Sequence, residues 1–234
     1  MGFTVAFQQY FAQTRGQVAR NLKRLVLTHL LNLLGVVVMI TIVGAGQVGR
    51  SLAQGLEVLG KSVRFARRQP ELAQEVGLQR CAVGSDYVIL ATPFMATGDV
   101  VPQLGLETGQ VLIDATNPFG RGWPAGYNGA DFASGGEFVQ FLAPQAHVVK
   151  CFNVIGFEHM NKPQFPGGKP FMPVCGNQAQ AKALAMNLAT DLGLDAVDIG
   201  DISKAALVEN MGLLWGALRD VEGSRDFAFS LLRS

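Results

Sequence analysis

The sequence predicts an α/β fold, a parallel sheet wound on both faces by helices, and three observations lead there. About half of the 234 residues are apolar (49%) and only 16% are charged, the balance expected when central strands are buried on both faces. Short β-branched runs alternate with amphipathic stretches, the pattern of repeated strand–helix–strand units. The first such unit turns through Gly44-Ala45-Gly46-Gln47-Val48-Gly49, the spacing required where a strand passes directly into a helix beside a phosphate group. Together they specify a Rossmann-type doubly wound parallel sheet with a small C-terminal α/β addition. The length suits one sizeable core plus that appended lobe.

Residues 1–38 read as an N-terminal extension. Arg15, Arg20, Lys23 and Arg24 precede an apolar stretch at 25–38 in the order of a signal peptide. His29 and Asn32 interrupt that stretch, however, and no small-residue cleavage site follows it. It also runs directly into a strand the fold needs, so a membrane span of about 20 apolar residues is disfavoured as well. Two readings stay open: an added amphipathic helix, or residues upstream of a native start at Met39. A chain beginning at Met39 is expected to fold and bind its cofactor, as solubility and cofactor titration would check.

From Met39 the elements follow in order. A strand at 40–43 leads through the glycines to a helix at 51–59, with Leu52, Leu56 and Leu59 on one face and Gly60 as its C-cap. A second strand at 62–66 precedes a short helix beginning at 69–71, with Pro70 in its first turn. Further strands are expected at 86–92, 110–114 and 147–152, with a crossover at 98–104. The segment 117–145 is rich in Gly, Asn and Pro and reads as a loop over the sheet before a helix near 134–141; loops of that length are usually functional or mobile. A second irregular stretch runs through Lys169-Pro170. It precedes a strand at 171–175, a helix at 178–192, a strand at 195–199 and a final helix at 202–218. The dinucleotide-binding domain is thus expected at 39–155 and a C-terminal α/β lobe closing the site at 156–234.

Charge and cysteine usage narrow the partners. The formal net charge is +1 and no run of Lys or Arg exceeds two residues, which leaves no electrostatic case for nucleic acid. Cys81, Cys151 and Cys175 are widely spaced, form no Cys-x-x-Cys and have only three histidines to help them, so buried reduced thiols are expected and no metal site. A cytoplasmic protein is expected, with no membrane partner.

The glycine loop carries the most specific chemistry. Gly44 permits the tight turn, Gly46 lets backbone approach a pyrophosphate, and Gly49 lets helix and strand pack closely. The helix N-terminus then offers free amides and partial positive charge. NAD-selective proteins place Asp or Glu at the end of the second strand, where this chain has Ala66 followed by Arg67 and Arg68. A small residue leaves room for a 2′-phosphate and a guanidinium can grip it, so NADP(H) is favoured over NAD(H). The alternative is that the two arginines are solvated surface.

Asp114-Ala115-Thr116-Asn117-Pro118, His147-Val148-Val149-Lys150-Cys151-Phe152-Asn153 and Val174-Cys175-Gly176-Asn177 add to the glycine loop. With them the chain, from about Met39 to Leu214, resembles the deazaflavin (coenzyme F420) dependent NADP oxidoreductases and the cytosolic reductase domain of the STEAP metalloreductases. The resemblance implies that Thr92-Pro93-Phe94 line the nicotinamide side of the pocket and that Asn153-Val154-Ile155 lie near the point of hydride transfer. Pro70-Glu71 departs from the further basic residue frequent in the deazaflavin enzymes. The metalloreductases continue into six membrane helices that this sequence lacks, so no transmembrane electron transfer is expected.

Hydride transfer between a nicotinamide and a flavin-like ring asks side chains mainly for stacking, orientation and exclusion of water. The pocket segments accordingly hold no Ser-His-Asp set, no paired carboxylates and no Tyr-x-x-x-Lys. Asn117 and Asn153 are the candidate positioning residues, since amides both donate and accept, and Lys150 reads as structural or solvent-facing. The expected cofactor is NADP(H), with a flavin or deazaflavin as the small-molecule hydride acceptor. An imine or ketone reductase and a non-catalytic NADP(H)-sensing module stay as alternatives. Ala206, Leu207, Met211, Leu214 and Leu218 form an apolar stripe on the last helix, which favours a homodimer.

Overall fold

The first strand, β1 (Met39–Val43), passes through the glycine turn into α1 (Gln47–Val58), whose inner face buries Gly49, Leu52, Ala53, Gly55 and Leu56. The chain returns as β2 (Ser62–Arg67) beside β1, completing the strand–helix–strand unit. In this computed structural model residues 38–120 and 122–233 are described, so the readings of the N-terminal extension lie outside the described residues. Then come β3 (Val76–Gly77), β4 (Tyr87–Leu90), α2 (Thr97–Val100), β5 (Val111–Asp114), α3 (Gly135–Leu142) and β6 (His147–Lys150). The last elements are β7 (Phe171–Gly176), α4 (Ala179–Asp191), β8 (Asp195–Asp198) and α5 (Ala205–Glu222).

The described strands form one sheet in the order β3-β2-β1-β4-β5-β6-β7-β8. All neighbours run parallel except β6 and β7, whose register sets Val149 opposite Gly176 and Lys150 opposite Cys175. The order reverses between β1 and β4, and the crevice beyond the strand ends at such a reversal is where doubly wound sheets bind ligands. Strand residues Ile40, Ile42, Val88, Ile89, Leu112, Ile113 and Val149 are fully buried, as a sheet covered on both faces requires. Cys81, Cys151 and Cys175 are buried free thiols, and burial pushes Cys81 and Cys175 up to about 12. No helix among the described residues is long and apolar enough to cross a membrane.

Several expected elements differ. No helix begins at 69–71: the Glu75 carboxylate accepts the amides of Glu71 (2.8 Å) and Leu72 (3.2 Å). A side chain that captures backbone donors in this way competes with helix formation, and the chain instead adds β3 to the sheet edge. The strand expected to reach 152 stops at Lys150, because Phe152 adopts a left-handed backbone with φ of 68°. The last helix begins as a 3-10 turn at Ile202–Lys204 and continues to Glu222, where Gly223 (φ 61°) ends it in the left-handed conformation that favours glycine. The long 117–145 segment is pinned by aromatics. Trp123 stacks on Phe132 at 5.6 Å, and Phe94, Trp123, Tyr127 and Phe132 each meet the Phe138 ring edge-on.

Candidate functional site

Gly44 has φ of 108°, and a Cβ there would lie 2.6 Å from the Ala91 carbonyl oxygen at the end of β4. A Cβ at Gly49 would lie 2.1 Å from the Gly44 carbonyl oxygen, so α1 sits against the turn at a distance that excludes any side chain. At Gly46 a Cβ would meet nothing within 4 Å. The outer glycines are therefore filled by the protein, and the middle one leaves open space at the helix start. No side chain caps α1 and no acidic residue occupies its first turn, which leaves partial positive charge at the mouth of the crevice. This cradle fits a dinucleotide pyrophosphate. Gly49→Ala is expected to displace α1 from the turn and weaken dinucleotide binding at least tenfold, measured by fluorescence titration; retention of full affinity would contradict the packing argument.

Ala66 is buried, and its carbonyl accepts the Gly44 amide at 3.4 Å, so the end of β2 lies against the glycine turn. Arg67 NH1 donates to Glu71 at 3.3 Å and to Glu75 at 3.2 Å. Arg68 pairs with Asp99 on α2.

Past β4 and β5, Pro93, Phe94, Asn117 and Pro118 line a cleft of about 260 Å³, joined by Met95, Phe119 and Gly122. The two segments singled out in the sequence thus meet. Asn153 stands behind them, 4% exposed: its Nδ2 donates to the Thr116 carbonyl and, at 3.2 Å, to Asn117 Oδ1. Asn117 Nδ2 returns a bond to the Asn153 carbonyl at 3.1 Å. Thr92 Oγ1 and Asn153 Oδ1 are buried without a hydrogen-bond partner among the described residues, a costly state that a bound polar group would relieve. Val154 and Ile155 are buried and stay outside the cleft lining.

Lys150, fully buried, anchors this arrangement from below. Its Nζ donates to Asp114 (2.8 Å), to the Thr116 carbonyl (2.7 Å) and to Glu209 on α5 (2.8 Å). Glu209 also accepts the amides of Gly135 (3.0 Å) and Gly136 (2.9 Å) at the N-terminus of α3. Burial opposes the lysine charge, yet Asp114 and Glu209 outweigh it and hold its pKa above the usual lysine value. With all three donors engaged and no solvent access, Lys150 is structural. Glu209 escaped the sequence reading, although a lone carboxylate between Val208 and Gly212 on the otherwise apolar inner face of the helix was its signal. Gly212 lets α5 approach, since a Cβ there would meet Phe119 at 2.8 Å and the Asn153 carbonyl at 2.9 Å.

Residues 39–118 match the family model described as NADP oxidoreductase, coenzyme F420-dependent. This stretch, about a third of the chain, is similar to that family. It contains the glycine loop, the arginine pair, and the Pro93 and Asn117 walls of the cleft. The chain is 30% identical over 181 residues to metalloreductase STEAP3 of Rattus norvegicus, covering 74% of this chain and 36% of that protein. It therefore spans about a third of the length of the curated relatives it matches. A protein of Arthrobacter sp. FB24 named for F420-dependent NADP reduction superposes with a TM-score of 0.73 at 29% identity, covering 83% of this chain and 99% of that one. An imine reductase of Aspergillus terreus (TM-score 0.57, 16% identity, 80% of this chain and 63% of that one) shares the fold. These similarities agree with the Rossmann-type sheet described above.

Proposed function

We propose that the protein binds NADP(H) along the glycine loop and passes hydride between it and a flavin, a deazaflavin of the coenzyme F420 type or a similar planar acceptor. The observation that carries this reading is the cleft itself. Among the described residues its lining of Pro93, Phe94, Met95, Asn117, Pro118, Phe119 and Gly122 contains no titratable side chain. A bound nicotinamide supplies the hydride. The chain's residues orient and dehydrate: Phe94 and Phe119 provide apolar faces, while the Asn117–Asn153 pair presents a buried acceptor, Asn153 Oδ1, toward a polar substituent. Gly44 to Gly49 receive the pyrophosphate, and Arg67 the 2′-phosphate. An acceptor that needs no proton from a side chain suits such walls, whereas imine or ketone reduction calls for a nearby acid.

An NADPH-oxidation screen against free flavins, a deazaflavin, ferric chelates and small imines tests the proposal. Turnover with planar acceptors alone is expected. Turnover with imines alone would favour the imine reductase reading, and tight binding with no turnover on any acceptor would favour a sensing module.

The relatives' names concern their whole length, and the Arthrobacter protein is matched over 99% of its chain. Its name, which refers to F420-dependent NADP reduction, supports the same reading here. We also propose a homodimer. The inner face of α5 is Ala205, Val208, Glu209, Gly212 and Trp215, so Leu207 (62% exposed) and Leu214 (53%) turn outward. Light scattering at micromolar concentration is expected to report twice the 25.0 kDa chain mass; a monomer with full activity would remove the dimer.

A further inference from the structure

The two carboxylates around Arg67 differ in kind. Glu71 is exposed (69%), whereas the Glu75 side chain is 4% exposed and already fixed by two backbone amides before Arg67 reaches it. The β2–β3 register sets Ala66 opposite Val76 and Arg67 opposite Gly77, which brings Glu75 to the end of β2. The side-chain hydrogen bonds of Arg67 among the described residues all leave from one nitrogen: NH1 donates to Glu75 at 3.2 and 3.4 Å and to Glu71 at 3.3 Å. The Nε–NH2 edge, the fork that matches two oxygens of a phosphate, is left for a ligand. Arg68 has no comparable anchor, since its partner Asp99 is itself 64% exposed.

We infer that Glu75 is the positioning residue that sets cofactor choice: it clamps Arg67 by NH1 and turns the remaining edge toward the 2′-phosphate. The inference rests on the proposal that Arg67 receives that phosphate. Two effects compete, because a carboxylate beside a phosphate repels it while a fixed guanidinium binds it without loss of side-chain freedom. Here the repulsion is blunted, as the Glu75 charge is neutralised by two amides and by Arg67. The ordering of a long, partly exposed arginine therefore dominates.

Calorimetric titration of NADP+, NAD+ and 2′,5′-ADP tests the clamp without reference to turnover. Glu75→Gln keeps an acceptor for the amides of Glu71 and Leu72 but removes the charge. It is expected to weaken NADP+ and 2′,5′-ADP about tenfold and NAD+ less than about twofold, with Glu71→Gln close to the parent protein. Unchanged or tighter NADP+ binding by Glu75→Gln would overturn the clamp, since the carboxylate would then be a bystander or a competitor. Arg67→Ala separates the two claims. If it leaves the NADP+ to NAD+ ratio unchanged, the assignment of Arg67 fails; if it abolishes the ratio while Glu75→Gln does not alter it, the clamp alone fails. Should Glu75→Gln not fold, Glu75→Asp serves in its place. Aspartate keeps the charge but draws the carboxylate back from Arg67 NH1, so a comparable loss for NADP+ supports the clamp and parent-like affinity overturns it.

Discussion

Lys150→Met is expected to lower the unfolding temperature by roughly 6–20 °C. The ammonium is fully buried and is the cation between Asp114 and Glu209, both also buried. Removing it leaves two carboxylates together in the interior, and breaking a buried ion pair in this way costs about 3–5 kcal/mol. In a domain of this size each kcal/mol shifts the midpoint by roughly 2–4 °C. Because Lys150 is raised above its usual value, its contribution is present through the neutral range and is lost only as pH rises through that raised value. Thermal unfolding followed by circular dichroism measures the effect. Adding Asp114→Asn and Glu209→Gln to Lys150→Met is expected to restore part of the loss, because neutral amides no longer repel each other. A midpoint within about 2 °C of the parent protein for Lys150→Met alone would show that the cluster is not needed to hold α5 and α3 together.

Arg67→Ala is expected to weaken NADPH by about 10- to 100-fold and NADH by less than about twofold. Charge-assisted hydrogen bonds contribute roughly 1.5–3 kcal/mol, and only the 2′-phosphate of NADPH would receive them. The side chain is partly exposed and lies at the sheet margin, so its removal leaves the core intact. Fluorescence titration of both cofactors checks the ratio, and equal losses for the two would exclude a phosphate-specific role.

The dinucleotide crevice was legible in the sequence because its determinants are contiguous. Gly44, Gly46 and Gly49 act through backbone sterics, so their spacing alone conveys a turn, an opening and a close helix contact. The apolar runs of β4 and β5 likewise report burial by residue type. Asn117 and Asn153 were named from the sequence as candidates, and the bond between them required only that β5 and β6 be neighbours. Less was visible where one distant side chain redirects backbone. Glu75 captures two amides and turns an expected helix at 69–71 into a loop and an edge strand, an outcome that no propensity at Gln69 or Pro70 encodes.

The C-terminal half shows the same limit. Beyond α5 the chain doubles back, with Phe227 stacked on Trp215, Arg225 over both Trp215 and Phe157, and the Phe229 carbonyl accepting the Phe171 amide at 2.8 Å. None of these residues stood out in the sequence, because each is unremarkable until its partner arrives. By itself the sequence determined the sheet class and the glycine cradle, both of which follow from local geometry and residue chemistry. Only the tertiary structure decided the antiparallel turn at β6–β7, the burial of Lys150 between Asp114 and Glu209, and the hold of Glu75 on Arg67. Those depend on which charged groups meet across long stretches of chain, and burial forces a charge to find such a partner without saying which one it will be.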